Sequence, residues 1–423
     1  MSDLHLSSLP AGPHPTDVTI SGTALLLTVS GPDRPGVSQA FFAALETLPI
    51  LLLDVEQVVT SGQLILAALV VPDPSFHDDD GSDADTTLTD AEMTAAEVVA
   101  DLGLTLHHER RPTAEGAAVP AQIHVTVLGS PLRPSAMAGV ARTVAECGGN
   151  IENIERLAAY PVTAIELHVS GSDQPLLRQR LSADAASVGY DVAVQPAGLH
   201  RRAKRLVVMD VDSTLIQGEV IEMLAAHAGR EEEVAAITEA AMRGELDFTE
   251  SLIRRVGLLK GLDASALDDV AASIVLTPGA RTLIRTLRRL GYRCGAVSGG
   301  FDVVTDKLAD ELGLDFTLAN HLEVRDGVLT GSVVAPVVDR AAKAQALREF
   351  ARDSGVPLAQ TVAIGDGAND LDMLQTAGLG IAFNAKPLVR AAADTSVNVP
   401  YLDTILFLLG ISRAEVEVAD GEG

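Results

Sequence analysis

The chain has 423 residues, 47% of them apolar, which predicts about two to four domains with substantial cores. Its formal charge of −27, from 31 basic and 58 acidic residues, repels phosphate backbones and anionic bilayers, so no nucleic-acid or membrane partner is expected. Apolar runs are strand-sized and the first residues lack a signal peptide's basic start and apolar core; with Cys147 and Cys294 assigned to different domains, a cytoplasmic protein without a disulfide is expected.

In chain order, a strand at Ala24 to Ser30 precedes a helix at Pro35 to Leu45, strands at Leu51 to Thr60 and Leu64 to Val71, a helix at Asp90 to Leu102 and a strand at Leu104 to Glu109. The order then repeats: strand Ile123 to Leu128, helix Ser135 to Cys147 with Ala136, Val140 and Val144 on one face, strands Ile151 to Ala158 and Val162 to Val169, a helix near Leu176 to Val188 and a strand near Asp191 to Gln195. Twice βαββαβ predicts two ferredoxin-like α+β domains, over about 22–110 and 121–196. The loop GPDRPGV at Gly31 to Val37 resembles the ligand loop of ACT domains. That resemblance implies an amino-acid effector, with Gly36 admitting close backbone approach and Asp33 accepting from an ammonium, although a tight turn starting a helix uses the same residues. The second copy has Leu132 and Ser135 at the matching places, so its loop is not expected to bind a ligand and pairing suits it better. ACT modules often join side by side, which implies a homodimer.

Polar stretches lie within the first unit and at the two boundaries that follow. Pro72 to Asp90, with Asp78, Asp79, Asp80, Asp83 and Asp85, lacks the spacing of a calcium loop and is expected as a disordered acidic loop. Arg110 to Pro120 and Gln195 to Arg205 look like linkers, and the basic cluster Arg201, Arg202, Lys204 and Arg205 is expected to be solvated.

The most informative segment follows. Leu206, Val207, Val208 and Met209 predict a buried strand that delivers Asp210 and Asp212 together at its carboxyl end, where open α/β sheets bind ligands. Two adjacent carboxylates need a bound cation or a shared proton. A second strand ends at Ser298, Gly299 and Gly300, a hydroxyl with nearby backbone N–H groups suited to phosphate oxygens, although taken alone Ser-Gly-Gly is more often a structural turn; Ala296 rules out a nucleophile elbow. Lys343 sits on a helix striped by Ala342, Ala346, Leu347 and Phe350, where an isolated lysine is ordinarily solvated. Val362 to Ile364 then lead into Gly365, Asp366, Gly367, Ala368, Asn369 and Asp370, whose glycines let the backbone turn tightly and aim Asp366 at the space of Asp210.

These four motifs, in this order, resemble those of the phosphoserine phosphatases in the haloacid dehalogenase superfamily. The resemblance covers roughly 204–410 and implies a Rossmann-like α/β domain, with a small helical cap over about 219–275. It implies a Mg²⁺ site made by Asp210, Asp366 and the backbone carbonyl of Asp212. Asp210 is then the nucleophile, Asp212 the general acid and base, and Lys343 and Ser298 bind phosphate with Gly299 and Asn369. Glu219 is placed to receive the ammonium of phosphoserine and Arg255 its carboxylate; Met242 and Phe248 match pocket-lining positions. Without the resemblance, Glu219 is a first-turn helix acid, Arg255 an exposed helix cation, and Met242 and Phe248 core residues. The implied activity is Mg²⁺-dependent hydrolysis of phosphoserine in the last step of serine synthesis. The alternatives are a related phosphomonoesterase or phosphotransferase, or a non-catalytic amino-acid sensor.

Overall fold

A computed structural model describes residues 22–76, 82–113, 122–198, 201, 203–242 and 245–421. They fall into two compact units, divided between Val119 and Pro120. In the first, β1 (Thr23–Pro32), α1 (Val37–Leu45), β2 (Ile50–Thr60), β3 (Gln63–Pro72), α2 (Ser82–Asp101) and β4 (Thr105–Pro112) form an antiparallel sheet of order β2-β3-β1-β4 with its helices. Leu25, Leu27 and Val29 alternate along β1, and they share a core with Val37, Phe41 and Leu45 of α1 and Leu88, Ala91, Ala95 and Val99 of α2.

The acidic stretch corrects an expectation. Helix α2 begins at Ser82, not Asp90, because Leu88 extends the apolar stripe back by a turn and Asp85 pairs with Arg110 of β4. Residues 77–81, which carry Asp78, Asp79 and Asp80, lie outside the described residues.

The second unit opens with β5 (Gln122–Gly129), α3 (Pro134–Glu146), β6 (Asn150–Ala158), β7 (Thr163–Ser170), α4 (Gln174–Val188) and β8 (Asp191–Pro196), in sheet order β6-β7-β5-β8. Ile123, Val125 and Val127 pack in the core with α3 and α4. On the opposite face Leu128, Ala164 and Ala193 join the main core of the following domain. This packing overturns the solvated-linker expectation for two members of the basic cluster, whereas Arg205 is exposed and Arg202 lies outside the described residues. Arg201 is 7% exposed and pairs with Glu166 of β7, and Lys204 is 6% exposed and donates to the carbonyl of Ala359 at 2.7 Å.

The remainder runs β9 (Leu206–Met209), α5 (Val220–Ala228), α6 (Glu231–Met242), α7 (Phe248–Gly257), α8 (Ser265–Ser273), α9 (Ala280–Arg289), β10 (Arg293–Phe301), α10 (Asp302–Leu312), β11 (Phe316–Arg325) and β12 (Val328–Val334). It continues with α11 (Arg340–Asp353), β13 (Thr361–Gly365), α12 (Leu371–Thr376), β14 (Gly380–Phe383), α13 (Pro387–Ala392), β15 (Thr395–Val397), α14 (Ile405–Leu408) and α15 (Arg413–Gly421). The seven-stranded sheet has the order β12-β11-β10-β9-β13-β14-β15 and is parallel except for β12. Both of its faces are covered: Val207 and Met209 enter one core, Leu206 and Val208 another. The chain passes from β9 to β10 on one flank and later to β13 on the other. That switch point opens a crevice beyond the carboxyl end of β9. Helices α5 to α8 are inserted between β9 and β10.

Candidate active site

The crevice collects the acids. Asp210 follows β9, and its amide donates to Ile364 of β13 at 2.9 Å, tying the two strand ends together. Its Oδ1 accepts from the Val211 amide at 2.8 Å and from Lys343 Nζ at 2.6 Å. Lys343 comes from α11 and is 0% exposed, with a second bond to Asp370 Oδ1 at 2.7 Å. A buried lysine is tolerable only with such partners. Burial alone would lower its pKa, but Asp210 and Asp370 outweigh that and raise it, so it stays charged.

Ser213 makes the turn after Asp210 possible by adopting φ 58°. The turn brings Asp212 back so that its Oδ1 accepts from the Val220 amide at 2.9 Å and its Oδ2 from Ser298 Oγ at 3.2 Å. Ser298 in turn accepts from the Gly300 amide at 2.8 Å. A Cβ at Gly300 would stand 2.5 Å from Asp212 Oδ2, so glycine there leaves room for the acid. On the β13 side Thr214 donates to Asp366 Oδ1 at 3.1 Å, and the Gly367 amide donates to Asp370 Oδ2 at 2.9 Å.

Asp210, Asp366 and Asp370 each present a carboxylate oxygen within 4.8 Å of the others. Three carboxylates facing one lysine leave surplus negative charge. Burial, followed by Asp370, pushes Asp210 well above its ordinary 3.8, and the same two causes, with Glu219, lift Asp366 to about 7. Asp212 rises to about 6 through burial and Glu219. An all-oxygen, net-negative cluster has the donor chemistry of a hard divalent cation. Asp370 was not among the expected site residues; its signal is an acid within the same glycine-bounded loop. The side chain of Asp212 is committed to Val220 and Ser298 and lies outside the trio.

A cavity of about 430 Å³ opens over these groups, lined by Asp210, Asp212, Glu219, Arg255, Asp366 and Asn369 among others. Glu219 precedes the first turn of α5 and accepts from Ser213 Oγ at 3.0 Å. Arg255 reaches the cavity from α7. Burial lowers its pKa while Glu219, Asp212 and Glu222 oppose that, so the arginine faces the acids rather than bulk water. Phe248, also on α7, leans on Gly299: a Cβ there would lie 2.7 Å from Phe248 Cζ and 3.7 Å from Asn369 Nδ2. Met242 ends α6, and its side chain lies outside the described residues. In the other unit, Gly36 precedes α1 with φ 95°, and Asp33 is exposed with its amide bonded to Gly62 at 2.8 Å.

Residues 207–375 match the haloacid dehalogenase-like hydrolase family, and 23–97 and 122–195 each match an ACT domain family. Over 94% of both chains the sequence is 57% identical to a phosphoserine phosphatase of Streptomyces coelicolor. The chain belongs to the phosphoserine phosphatases. It is also 54% identical to phosphoserine phosphatase SerB2 of Mycobacterium tuberculosis, over 94% of this chain and 95% of that one. A solved haloacid-dehalogenase-family hydrolase from Salmonella enterica serovar Typhi superposes with a TM-score of 0.60 at 29% identity, covering 68% of this chain and 98% of its own. Membership in this family makes the domain carrying Asp210 a hydrolase domain and the two preceding sheets ACT domains. Among the described residues no helix is long and apolar enough to cross a membrane.

Proposed function

We propose that the chain hydrolyses O-phospho-L-serine to L-serine and phosphate through a phosphorylated Asp210. The observation that carries this is the convergence of Asp210, Asp366, Asp370 and Lys343 in one buried cluster under a cavity whose walls also bear Glu219 and Arg255. Mg²⁺, held by Asp210, Asp366 and the backbone carbonyl of Asp212, with Asp370 close by, would neutralise charge on the phosphoryl oxygens. Lys343 adds a fixed positive charge, and Ser298 and the Gly299 amide supply hydrogen bonds.

Asp210 Oδ1 is held by Lys343 and the Val211 amide, which leaves Oδ2 to attack phosphorus. The phosphorus–oxygen bond to serine breaks as Asp212 donates its proton to the departing alkoxide. In the second displacement Asp212, now a carboxylate, takes a proton from water as that water attacks phosphorus and releases Asp210. A carboxyl pushed to about 6 is suited to both duties near neutral pH. Glu219 receives the ammonium and Arg255 grips the carboxylate of the substrate, which selects a zwitterion over a plain phosphomonoester. Helix α7 brings Arg255 and Phe248 over the site together, excluding water from the acyl phosphate.

Serine as the product suits the last step of serine synthesis, which we place in the cytoplasm. At the first ACT domain Asp33 and Gly36 bind an amino-acid effector, and two copies of the chain associate as a homodimer. The test is phosphate release across a panel of phosphorylated metabolites, with and without Mg²⁺ and free amino acids. Preferred use of phosphoserine, dependent on the ion, supports the proposal. Equal use of plain phosphomonoesters, or activity in excess chelator, overturns it.

A further inference from the structure

The sheet of the second ACT domain holds a second cluster of ligand-type side chains. Strands β5 and β7 run antiparallel with His124 opposite His168 and Thr126 opposite Glu166. Side chains two residues apart share a face, so both imidazoles and the carboxylate stand on the face turned away from α3 and α4. His124 Nδ1 lies 3.0 Å from Glu166 Oε1, and His168 Nε2 lies 3.4 Å from the same oxygen. All three donor atoms fall within 4.8 Å of one another. The two rings meet edge to face with centroids 4.5 Å apart.

Two features set the cluster apart from an ordinary ion pair. His124 Nδ1 is buried against the Glu166 carboxylate, and the contact there is a close charge contact rather than an aligned hydrogen bond. Glu166 is itself ionised and anchored: burial opposes its charge, but contacts with His124 and Arg201 hold its carboxyl at about 2. Arg201 Nη1 donates to Oε1 at 2.9 Å and Nη2 to Oε2. A carboxylate has about four lone-pair sites, so a guanidinium using one on each oxygen leaves Oε1 another for a ligand on the histidine side.

We propose that His124, His168 and Glu166 bind a divalent transition metal, with Zn²⁺ as the fitting ion, at a site separate from the phosphatase centre. Zinc takes imidazole and carboxylate donors at about 2.0–2.1 Å, and the edges of such a tetrahedron are about 3.3–3.4 Å long. The two nitrogen–oxygen edges, 3.0 and 3.4 Å, lie close to that spacing with the strands in their present register, and the nitrogen–nitrogen edge is within 4.8 Å. Two imidazoles disfavour Mg²⁺, which prefers oxygen, so the two centres choose different ions. The His124 and His168 side chains are 16% and 27% exposed, leaving an open side for water as the fourth ligand. The Arg201 charge behind the carboxylate weakens a dication's hold, so affinity on the order of micromolar is expected.

Full-length protein saturated with Mg²⁺ is dialysed against Zn²⁺, beside the His124→Gln/His168→Gln double variant and the His168→Gln single variant. Wild type takes up about one more Zn²⁺ than either variant, while phosphoserine turnover without Zn²⁺ is unchanged in the variants. Cu²⁺ bound to wild type shows nitrogen hyperfine coupling from two imidazoles, which the all-oxygen cluster at Asp210, Asp366 and Asp370 cannot produce. Equal Zn²⁺ uptake by wild type and the single variant, or wild-type Cu²⁺ spectra without two-nitrogen coupling, overturns the proposal even if the double variant fails to fold.

Discussion

Removing one acid of the buried carboxylate cluster should make the metal-free protein more stable. Asp366 is raised from 3.8 to about 7 by burial, Asp370 and Glu219. A carboxyl that holds its proton more tightly when folded favours the native state at low pH. That contribution is complete below the unfolded value and is lost as pH rises through the folded one. At about pH 8 the ionised group therefore weighs against folding by about 4 kcal/mol, taking 1.36 kcal/mol per pKa unit. Asp366→Asn removes the charge and keeps an oxygen for Thr214, so even with about 1 kcal/mol lost from that bond the variant gains about 3 kcal/mol. For a domain of this size that is a rise of roughly 6–12 °C in Tm. At about pH 5 the wild-type carboxyl is already protonated in the folded state, and the gain falls to under about 1 kcal/mol. Scanning calorimetry in excess chelator at the two pH values measures both. Added Mg²⁺ should reverse the order, stabilising wild type but not the variant. A variant no more stable than wild type at the higher pH, or an equal gain at both, would refute the surplus-charge account of this cluster.

Replacing Arg255 with Gln should lower kcat/KM for phosphoserine by roughly 30- to 1000-fold, about 2–4 kcal/mol, and barely affect an aryl phosphate; equal losses on both would remove its assigned role. Lys343→Met leaves Asp210 and Asp370 without their buried cation, so it should cost the metal-free protein about 3–5 kcal/mol in urea unfolding as well as its activity. Asp212→Asn should slow phosphoserine hydrolysis by about 10²- to 10⁴-fold. With a dinitrophenyl phosphate, whose leaving group needs no proton, the same variant should still form phosphoenzyme and accumulate it, as rapid-quench experiments would show.

The catalytic half was legible because its signals are local. An apolar run such as Leu206 to Met209 ends in acids, and a buried parallel strand places whatever follows it at the sheet's carboxyl edge. Lys343 needed more than its own surroundings, since only the order of motifs separates it from a solvated helix lysine. The burial of Arg201 and Lys204 is not legible in the sequence because their partners are distant: Glu166 lies on β7 and Ala359 just before β13, so nothing nearby marks these two side chains as buried. The antiparallel pair β11 and β12 departs from a purely parallel sheet, yet its turn carries a readable sign. Asp326 and Gly327 both have positive φ, 52° and 80°, as a two-residue Asp-Gly hairpin requires. Asp370 shares its loop with Asp366, and only folding reveals that it faces Lys343.

Acid quenching during turnover of labelled phosphoserine, followed by peptide mapping of the trapped protein, tests the central claim most directly. A single acid-stable, hydroxylamine-sensitive phosphoryl group on the peptide containing Asp210, absent in Asp210→Asn, is the predicted result. Label on Ser298 or any other residue, or full turnover by Asp210→Asn, would contradict it.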